Sequence, residues 1–378
     1  MDAYSETCYL ELKSCFFLIL AAGYLDIDCL RNLDEALQYN KLLLTLAKPL
    51  IPLAINNHYP ATLGTTEVLS WLIKRKISLK DMNFSPISGW SGGILEDFDL
   101  NLLVKISRNL IICNLDSNCY ITDSSIGNLL NSCFNLQVLS IKYVVRLDGS
   151  AFLFSTMKLP NLKKLDLRGC LSLRDDCIAA FTKRIPNLSE IAFGDSQKVT
   201  DITVIALAEN CCELGAIHFE RMIHITDDSI SLLVKNCRNL RDITLNALYN
   251  VRESNTALRV LNSCSLLQTF ILRTLDLVYD IEDSTVENLV RHCPMIKTLH
   301  LYSDHKDSDS KVTEKSLLAI STLVNLVSLR IHVTTNANVK DPMKRLVEQC
   351  TKLQCADVRR KGGVSIGDWY YSTMLCNN

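Results

Sequence analysis

Apolar and polar positions alternate through the middle of this chain in a pattern that returns at a regular interval. The interval is constant from Ser107 to Cys237, and it becomes slightly longer and less even from there to Cys350. Repetition of this kind indicates a solenoid, in which each unit buries its apolar face against its neighbours. The opening position of successive copies holds Ser107, Cys133, Leu159, Ile185, Cys211, Cys237, Cys264, Cys293, Leu323 and Cys350.

Each copy predicts one strand followed by one helix. Shortly after the opening position comes an apolar residue such as Leu162, followed by an alternating pair such as Leu165 and Leu167. That alternation has the period of a short, half-buried strand. A Thr-Asp or Thr-Glu step, as at Thr226-Asp227, then precedes apolar residues at helical spacing. Because a threonine oxygen can accept a backbone N–H hydrogen bond at a helix start, this step predicts an N-cap.

The repeat resembles the cysteine-containing subtype of the leucine-rich repeat, a member of the ribonuclease-inhibitor-like superfamily, over roughly residues 107–358. The resemblance implies an α/β solenoid shaped as a horseshoe, with a parallel sheet on its concave face and helices on its convex face. Residues 61–106 are interpreted as a divergent first repeat and a loop. Residues 359–378 are interpreted as a C-terminal cap or tail.

Residues 1–60 lie outside the repeat, and their leucine spacing predicts helices that end near Pro49 and Pro52. The stretch from Tyr24 to Leu44 resembles the second half of an F-box, although the Leu-Pro that opens that motif is absent. The alternative is a helical cap that shields the first repeat, which an open solenoid requires. The F-box resemblance implies docking to the adaptor of an SCF-type ubiquitin ligase through Leu25, Asp28, Leu30, Leu33, Asn40 and Leu43.

Composition narrows the classes of function. The net charge of −1 predicts no electrostatic footprint for nucleic acid. The apolar run from Cys15 to Leu25 is too short to span a bilayer, and acidic residues precede it where a signal peptide is basic. Six of the 16 cysteines share the opening repeat position, which predicts buried, reduced thiols in a cytoplasmic or nuclear protein. We therefore expect no nucleic-acid or membrane partner.

The sequence predicts no catalytic, metal or cofactor site. It contains no Cys-x-x-Cys pair that would begin a zinc site, and its seven histidines are scattered over different repeats. No Ser/His/Asp arrangement can be argued, because the aspartates near serines belong to the repeated helix starts. We therefore expect a protein that is not an enzyme and that needs no cofactor.

The residues that flank each buried strand pair are predicted to line the concave face, since side chains alternate along a strand. On the last four repeats they lean basic, and arginine and tyrosine are enriched at protein interfaces. An acidic or phosphorylated segment would pair with the guanidinium groups there. The alternative is a solvated face without a ligand. The candidate target-binding residues are Lys142, Arg168, His218, Glu220, Asn246, Arg273, His300, Tyr302, Arg330 and His332.

Taken together, the two segments resemble the F-box/leucine-rich-repeat substrate receptors of SCF-type ubiquitin ligases. That resemblance implies a receptor, monomeric outside its complex, whose partners are the SCF adaptor and a protein target presented for ubiquitin-dependent degradation. The alternative is a leucine-rich-repeat interaction scaffold without a ubiquitin role, whose N-terminal helices only cap the solenoid. A GTPase-activating horseshoe is disfavoured, because such proteins usually have longer repeats.

Overall fold

The computed structural model describes residues 74, 79–85, 95–248, 264–274, 281–303 and 310–360. The F-box-like or capping segment, with its six adaptor-binding candidates, and the tail after residue 360 lie outside the described residues. The chain forms two compact units, Met1–Leu162 and Lys163–Asn378.

Both units repeat the predicted order of strand, turn and helix. The first unit contains β1 (Asp81–Asn83), α1 (Asp97–Ile106), β2 (Ile112–Asn114), α2 (Asp123–Ser132), β3 (Val138–Ser140) and α3 (Ser150–Phe154). The second contains β4 (Lys164–Arg168), α4 (Asp175–Thr182), β5 (Glu190–Gly194), α5 (Asp201–Asn210), β6 (Ala216–Glu220), α6 (Asp227–Asn236), β7 (Asp242–Asn246), β8 (Thr269–Thr274), α7 (Asp283–His292), β9 (Thr298–Ser303), α8 (Glu314–Ile320), β10 (Ser328–Val333), α9 (Lys340–Gln349) and β11 (Cys355–Arg360).

Neighbouring strands are parallel within each unit and pair in sequence order, β1 to β3 in the first and β4 to β11 in the second. The repeat period sets their register, so that Leu165 pairs with Ile191 and Ile191 pairs with Ile217. Parallel strands joined by helices confirm the predicted α/β leucine-rich-repeat solenoid.

The alternating apolar residues of the strands form the core. Leu165 and Leu167 of β4 are buried, as are Ile191 and Phe193 of β5. The ring of Phe193 packs against that of Phe219 on the next strand, with 6.0 Å between centroids. Burying each such side chain contributes about 2 kcal/mol. The period-2 pattern therefore corresponds to buried and half-buried strand faces, as predicted.

The cysteines of the opening repeat position are buried, and none of these six forms a disulfide. Each thiol of Cys237 and Cys293 donates to the carbonyl of the cysteine one repeat earlier, at 3.5 and 3.3 Å. Burial raises the pKa of Cys237 to about 12 and that of Cys293 to about 11. These side chains therefore act as small core residues with a weak donor.

An aspartate at the first position of several helices bonds to the start of the next helix. Asp175 accepts from the backbone N–H and the hydroxyl of Thr200, at 2.9 and 2.6 Å. The Thr200 oxygen accepts in turn from the N–H of Ile202, which confirms the predicted N-cap. The link between repeats was not predicted. It recurs at Asp97–Thr122, Asp201–Thr226 and Asp283–Thr313.

A left-handed residue follows many of the strands. These residues recur at the repeat interval, and in the second unit their amides bond to the next strand, as Asp195 does to the Glu220 carbonyl at 3.0 Å. Gly169 adopts this backbone freely, whereas the other side chains cost about 1 kcal/mol each. The turn fixes where Asp195 and Arg221 project. The positions are Ser117, Tyr143, Gly169, Asp195, Arg221 and Ala247.

Candidate functional site

The candidate site is the open face of the second unit, which we define as the positions of β4–β11 that alternate with buried core residues. Its side chains are mostly half-buried, and the parallel register places them in rows across the strands. One row runs from Glu220 through Asn246 and Arg273 to Tyr302, each directly opposite the next. Neighbours in such a row are separated by one strand spacing, about 4.8 Å.

Tyr302 is the centre of a cluster formed by three adjacent strands. The guanidinium carbon of Arg330 lies 5.1 Å from the Tyr302 ring centroid, and that of Arg273 lies 5.9 Å away. Arg330 also donates to the Tyr302 hydroxyl at 3.4 Å. The ring of His332 packs edge-on against Tyr302, with 5.8 Å between centroids. We call Arg273, Tyr302, Arg330 and His332 the Tyr302 cluster. It combines the residue types that dominate binding energy at protein interfaces.

Polar contacts continue from this cluster along the face on both sides. Arg273 donates to the Asn246 side chain at 3.2 Å, and Asn246 donates to Glu220 at 3.4 Å. On the other side, Asp357 accepts from Arg330 at 3.1 Å and from Arg359 at 2.9 Å. Each contact already restrains a side chain in the unbound protein. Less rotamer freedom is therefore lost when a partner binds.

The three histidines of the open face differ in surroundings. His332 is buried, whereas His218 and His300 are half-buried. Burial lowers the pKa of His218. Burial, and next the Arg330 charge, lower the pKa of His300, whose Nε2 lies 2.8 Å from the Ser328 hydroxyl. His218 and His300 are therefore neutral at pH 7 and contribute hydrogen-bonding groups rather than charge.

Several charged side chains of β4–β6 and the adjoining turns form ion pairs with one another. Arg168 binds Asp166 through two contacts, at 3.0 and 2.6 Å, and its side chain lies within 3.4 Å of where a Cβ on Gly194 would stand. Arg221 binds Glu220 at 2.6 Å and both oxygens of Asp195, at 2.5 and 2.6 Å. Each of these arginines is therefore held by carboxylates close to it.

The structure places nine of the ten target-binding candidates on the open face and brings four of them together as the Tyr302 cluster. Lys142 lies in the first unit, in the turn two residues beyond the end of β3, where it binds Asp116 at 3.0 Å. The target set omitted Asp357 and the turn residues Asp195 and Arg221. The repeat frame already placed Asp357 opposite Arg330, but the turn residues have no strand signal in the sequence.

The described residues carry no arrangement suited to metal chemistry or to spanning a membrane. Across the described ranges, no three His, Cys, Asp or Glu side chains are grouped so as to hold a metal ion. Within that part of the chain, no helix combines the length and apolar character that crossing a bilayer requires. What the open face offers is a polar surface with fixed arginine and tyrosine side chains.

Comparisons with known proteins identify the fold. No family model matches the chain, and no curated protein matches it. Among solved structures, it is similar to a chain of the crystal structure of the Rad7 and Elc1 complex in yeast, with a TM-score of 0.53 and 18% sequence identity. The likeness covers 86% of this chain and 84% of that chain. At this identity, the likeness supports the solenoid fold and leaves function to the site itself.

Proposed function

We propose that this chain is a protein-binding substrate receptor of an SCF-type ubiquitin ligase, which holds a target protein on the open face and performs no chemistry itself. The observation that carries the protein-binding part is the Tyr302 cluster, in which two arginines from neighbouring strands lie over one tyrosine ring. Such preordered aromatic and arginine side chains lose little entropy when a partner binds.

The ubiquitin part rests on the resemblance of residues 24–44 to an F-box. The comparisons support the ubiquitin part only through the fold, which is similar to that of a chain crystallised in complex with a second protein. A receptor of this kind acts by raising the effective concentration of its target near the ligase. The proposal places the protein in the cytoplasm or the nucleus.

The test is capture of purified SCF adaptor and cullin by the full-length chain. The Leu30→Asp/Leu33→Asp variant changes two of the proposed adaptor contacts and is expected to lose capture. The matched control, Arg31→Ala/Asn32→Ala, changes neighbours outside the proposed set and is expected to retain it.

Capture by the wild type and the control, but not by the leucine variant, supports the proposed function. Absence of capture by the wild type would refute the ubiquitin part and favour an interaction scaffold, in which the N-terminal segment only caps the solenoid.

A further inference from the structure

A row of exposed residues follows the helix-to-strand turns of the second unit, outside the open face. Before each strand from β5 to β11, the preceding residue donates its backbone N–H to the equivalent carbonyl one repeat earlier. Gln268 donates to Arg241 and Lys297 donates to Gln268 in this way, both at 2.7 Å. Arg241, Gln268 and Lys297 therefore lie on three successive repeats. At about 4.8 Å per repeat, the Arg241 and Lys297 positions are roughly 10 Å apart along this rim.

Two apolar side chains lie beside this row. Leu266 and Met295 occupy the same position of neighbouring repeats and are 43% and 45% exposed. The equivalent residues on either side are polar and already have partners. Asn239 donates to Glu213 at 3.1 Å, and Asn325 accepts from the lysine of the following repeat at 2.7 Å. Leu266 and Met295 therefore place exposed apolar surface within a polar surround, which is the arrangement of a protein–protein contact.

Three cations border the apolar pair. Arg238 and Arg241 precede β7, Lys297 precedes β9, and all three are exposed. Within the described part of the chain, their side chains form no ion pair or hydrogen bond. Asp242, the next residue after Arg241, lies on the open face, where its charge acts on His218. Cations in the last turn of a helix stabilise the helix dipole, but these three lie beyond the ends of α6 and α7. Their charge is therefore available to an acidic partner.

We propose that the rim patch, defined as Arg238, Arg241, Leu266, Met295 and Lys297, binds an acidic amphipathic helix of a partner protein. The helix carries two carboxylates seven residues apart with two adjacent apolar residues between them, in the order acid-x-x-apolar-apolar-x-x-acid. The rim patch lies outside the open face and outside residues 1–60. The inference therefore goes beyond the proposed function and does not rest on it.

The spacing of the rim patch favours a helix over an extended segment. Helix positions i, i+3, i+4 and i+7 share one face, and seven residues rise about 10.5 Å. That rise matches the separation of the Arg241 and Lys297 positions, and it leaves the two apolar residues beside Leu266 and Met295. In an extended segment, residues three positions apart also span about 10 Å, but their side chains point to opposite sides. Both carboxylates could then not reach the same rim.

The test is binding of four labelled helical peptides to the full-length chain, measured by fluorescence anisotropy. The reference peptide has glutamate at both acidic positions and leucine at both apolar positions. A register peptide of identical composition moves both glutamates by two positions, which turns them to the opposite helix face. The other two peptides replace both glutamates by glutamine or by lysine. We expect the glutamine peptide to bind about tenfold more weakly than the reference, because two exposed ion pairs are lost. The register peptide should bind about fivefold more weakly.

Two double variants with equal charge change locate the site. Arg241→Glu/Lys297→Glu should abolish the preference for glutamate over glutamine and should bind the lysine peptide more tightly than the reference. Lys315→Glu/Lys344→Glu changes two exposed helix residues by the same charge and should retain the preference of the wild type. Leu266→Ser/Met295→Ser should weaken binding of the reference severalfold without changing the preference for charge. Circular dichroism verifies that each variant is folded.

Equal binding of the reference and register peptides would overturn the inference, as would equal loss of binding in both charge-reversal variants. Two other occupants are tested on the same preparations. Without peptide discrimination, binding to vesicles of phosphatidylcholine and phosphatidylserine that Arg241→Glu/Lys297→Glu abolishes would assign the rim patch to a lipid surface. Self-association that the same variant abolishes in sedimentation velocity, again without peptide discrimination, would assign the patch to a second copy of the chain. Either result would overturn the acidic-helix inference.

Discussion

Replacing an aspartate that links one repeat to the next provides a quantitative test of how much this link stabilises the solenoid. Asp283, at the start of α7, accepts from the backbone N–H of Thr313 at 2.8 Å and from its hydroxyl at 2.5 Å. It also accepts from the hydroxyl of buried Ser316 at 2.5 Å. Replacement by alanine removes three charge-assisted hydrogen bonds and leaves their donors without this acceptor. At about 1 kcal/mol for each half-buried bond, Asp283→Ala should cost about 3 kcal/mol of unfolding free energy.

The neighbouring residue Glu282 provides a matched control. It binds Lys311 at 3.1 Å, but both side chains are more than half exposed, at 54% and 60%. Exposed pairs of this kind are worth about 0–1 kcal/mol, so Glu282→Gln should change stability little. Urea unfolding followed by circular dichroism measures both variants. Equal destabilisation by the two, or an unfolding free energy of Asp283→Ala that matches the wild type, would refute a structural role for the aspartate.

The same carboxylate predicts a pH dependence. Burial tends to raise the pKa of Asp283, but hydrogen bonds from Ser316 and Thr313 outweigh it and hold the pKa below the usual value of 3.8. A carboxyl whose pKa is lower in the folded state stabilises the protein above its unfolded pKa, and that stabilisation is lost as pH falls through the folded pKa. The difference in stability between wild type and Asp283→Asn should therefore be constant above about pH 5 and shrink below 3.8. A difference that grew on acidification would contradict the assignment.

Two further predictions address the core. Leu167→Asp places an unpaired carboxylate at a fully buried position and should destabilise the protein by about 4 kcal/mol or more. The control, Leu171→Asp, changes a position that is 46% exposed and should leave the thermal melt nearly unchanged. Equal melts for the two variants would show that the repeat register is wrong. Peptide mapping after brief iodoacetamide treatment of the native protein should find exposed Cys212 and Cys355 alkylated, while Cys237 and Cys293 react only after unfolding, because burial raises their thiol pKa.

The fold was accessible from the sequence because its signals are local and repeated. The pair Leu165/Leu167 shows the period of a strand, and the Thr-Asp steps mark helix starts; recurrence at a regular interval places equivalent residues beside one another in a parallel sheet. The same frame predicted that Arg273, Tyr302 and Arg330 lie on adjacent strands. The pairing of Asp175 with Thr200 had a sequence signal too, since an aspartate precedes the next repeat's threonine by the same number of positions in several copies.

What only the tertiary structure decided is which groups surround each charge. The sequence predicts that Arg168 and Arg330 both occupy the open face. Arg168 lies beside Gly194 and is held by Asp166 of its own strand, whereas Arg330 lies over the Tyr302 ring and shares Asp357 with Arg359. Arg221 reaches Asp195 and Glu220 because a left-handed residue follows the strand, and alternation along a strand contains no information about that turn. Periodicity fixes the face on which a side chain lies, whereas the energy of a charge depends on atoms a few ångströms away on neighbouring strands.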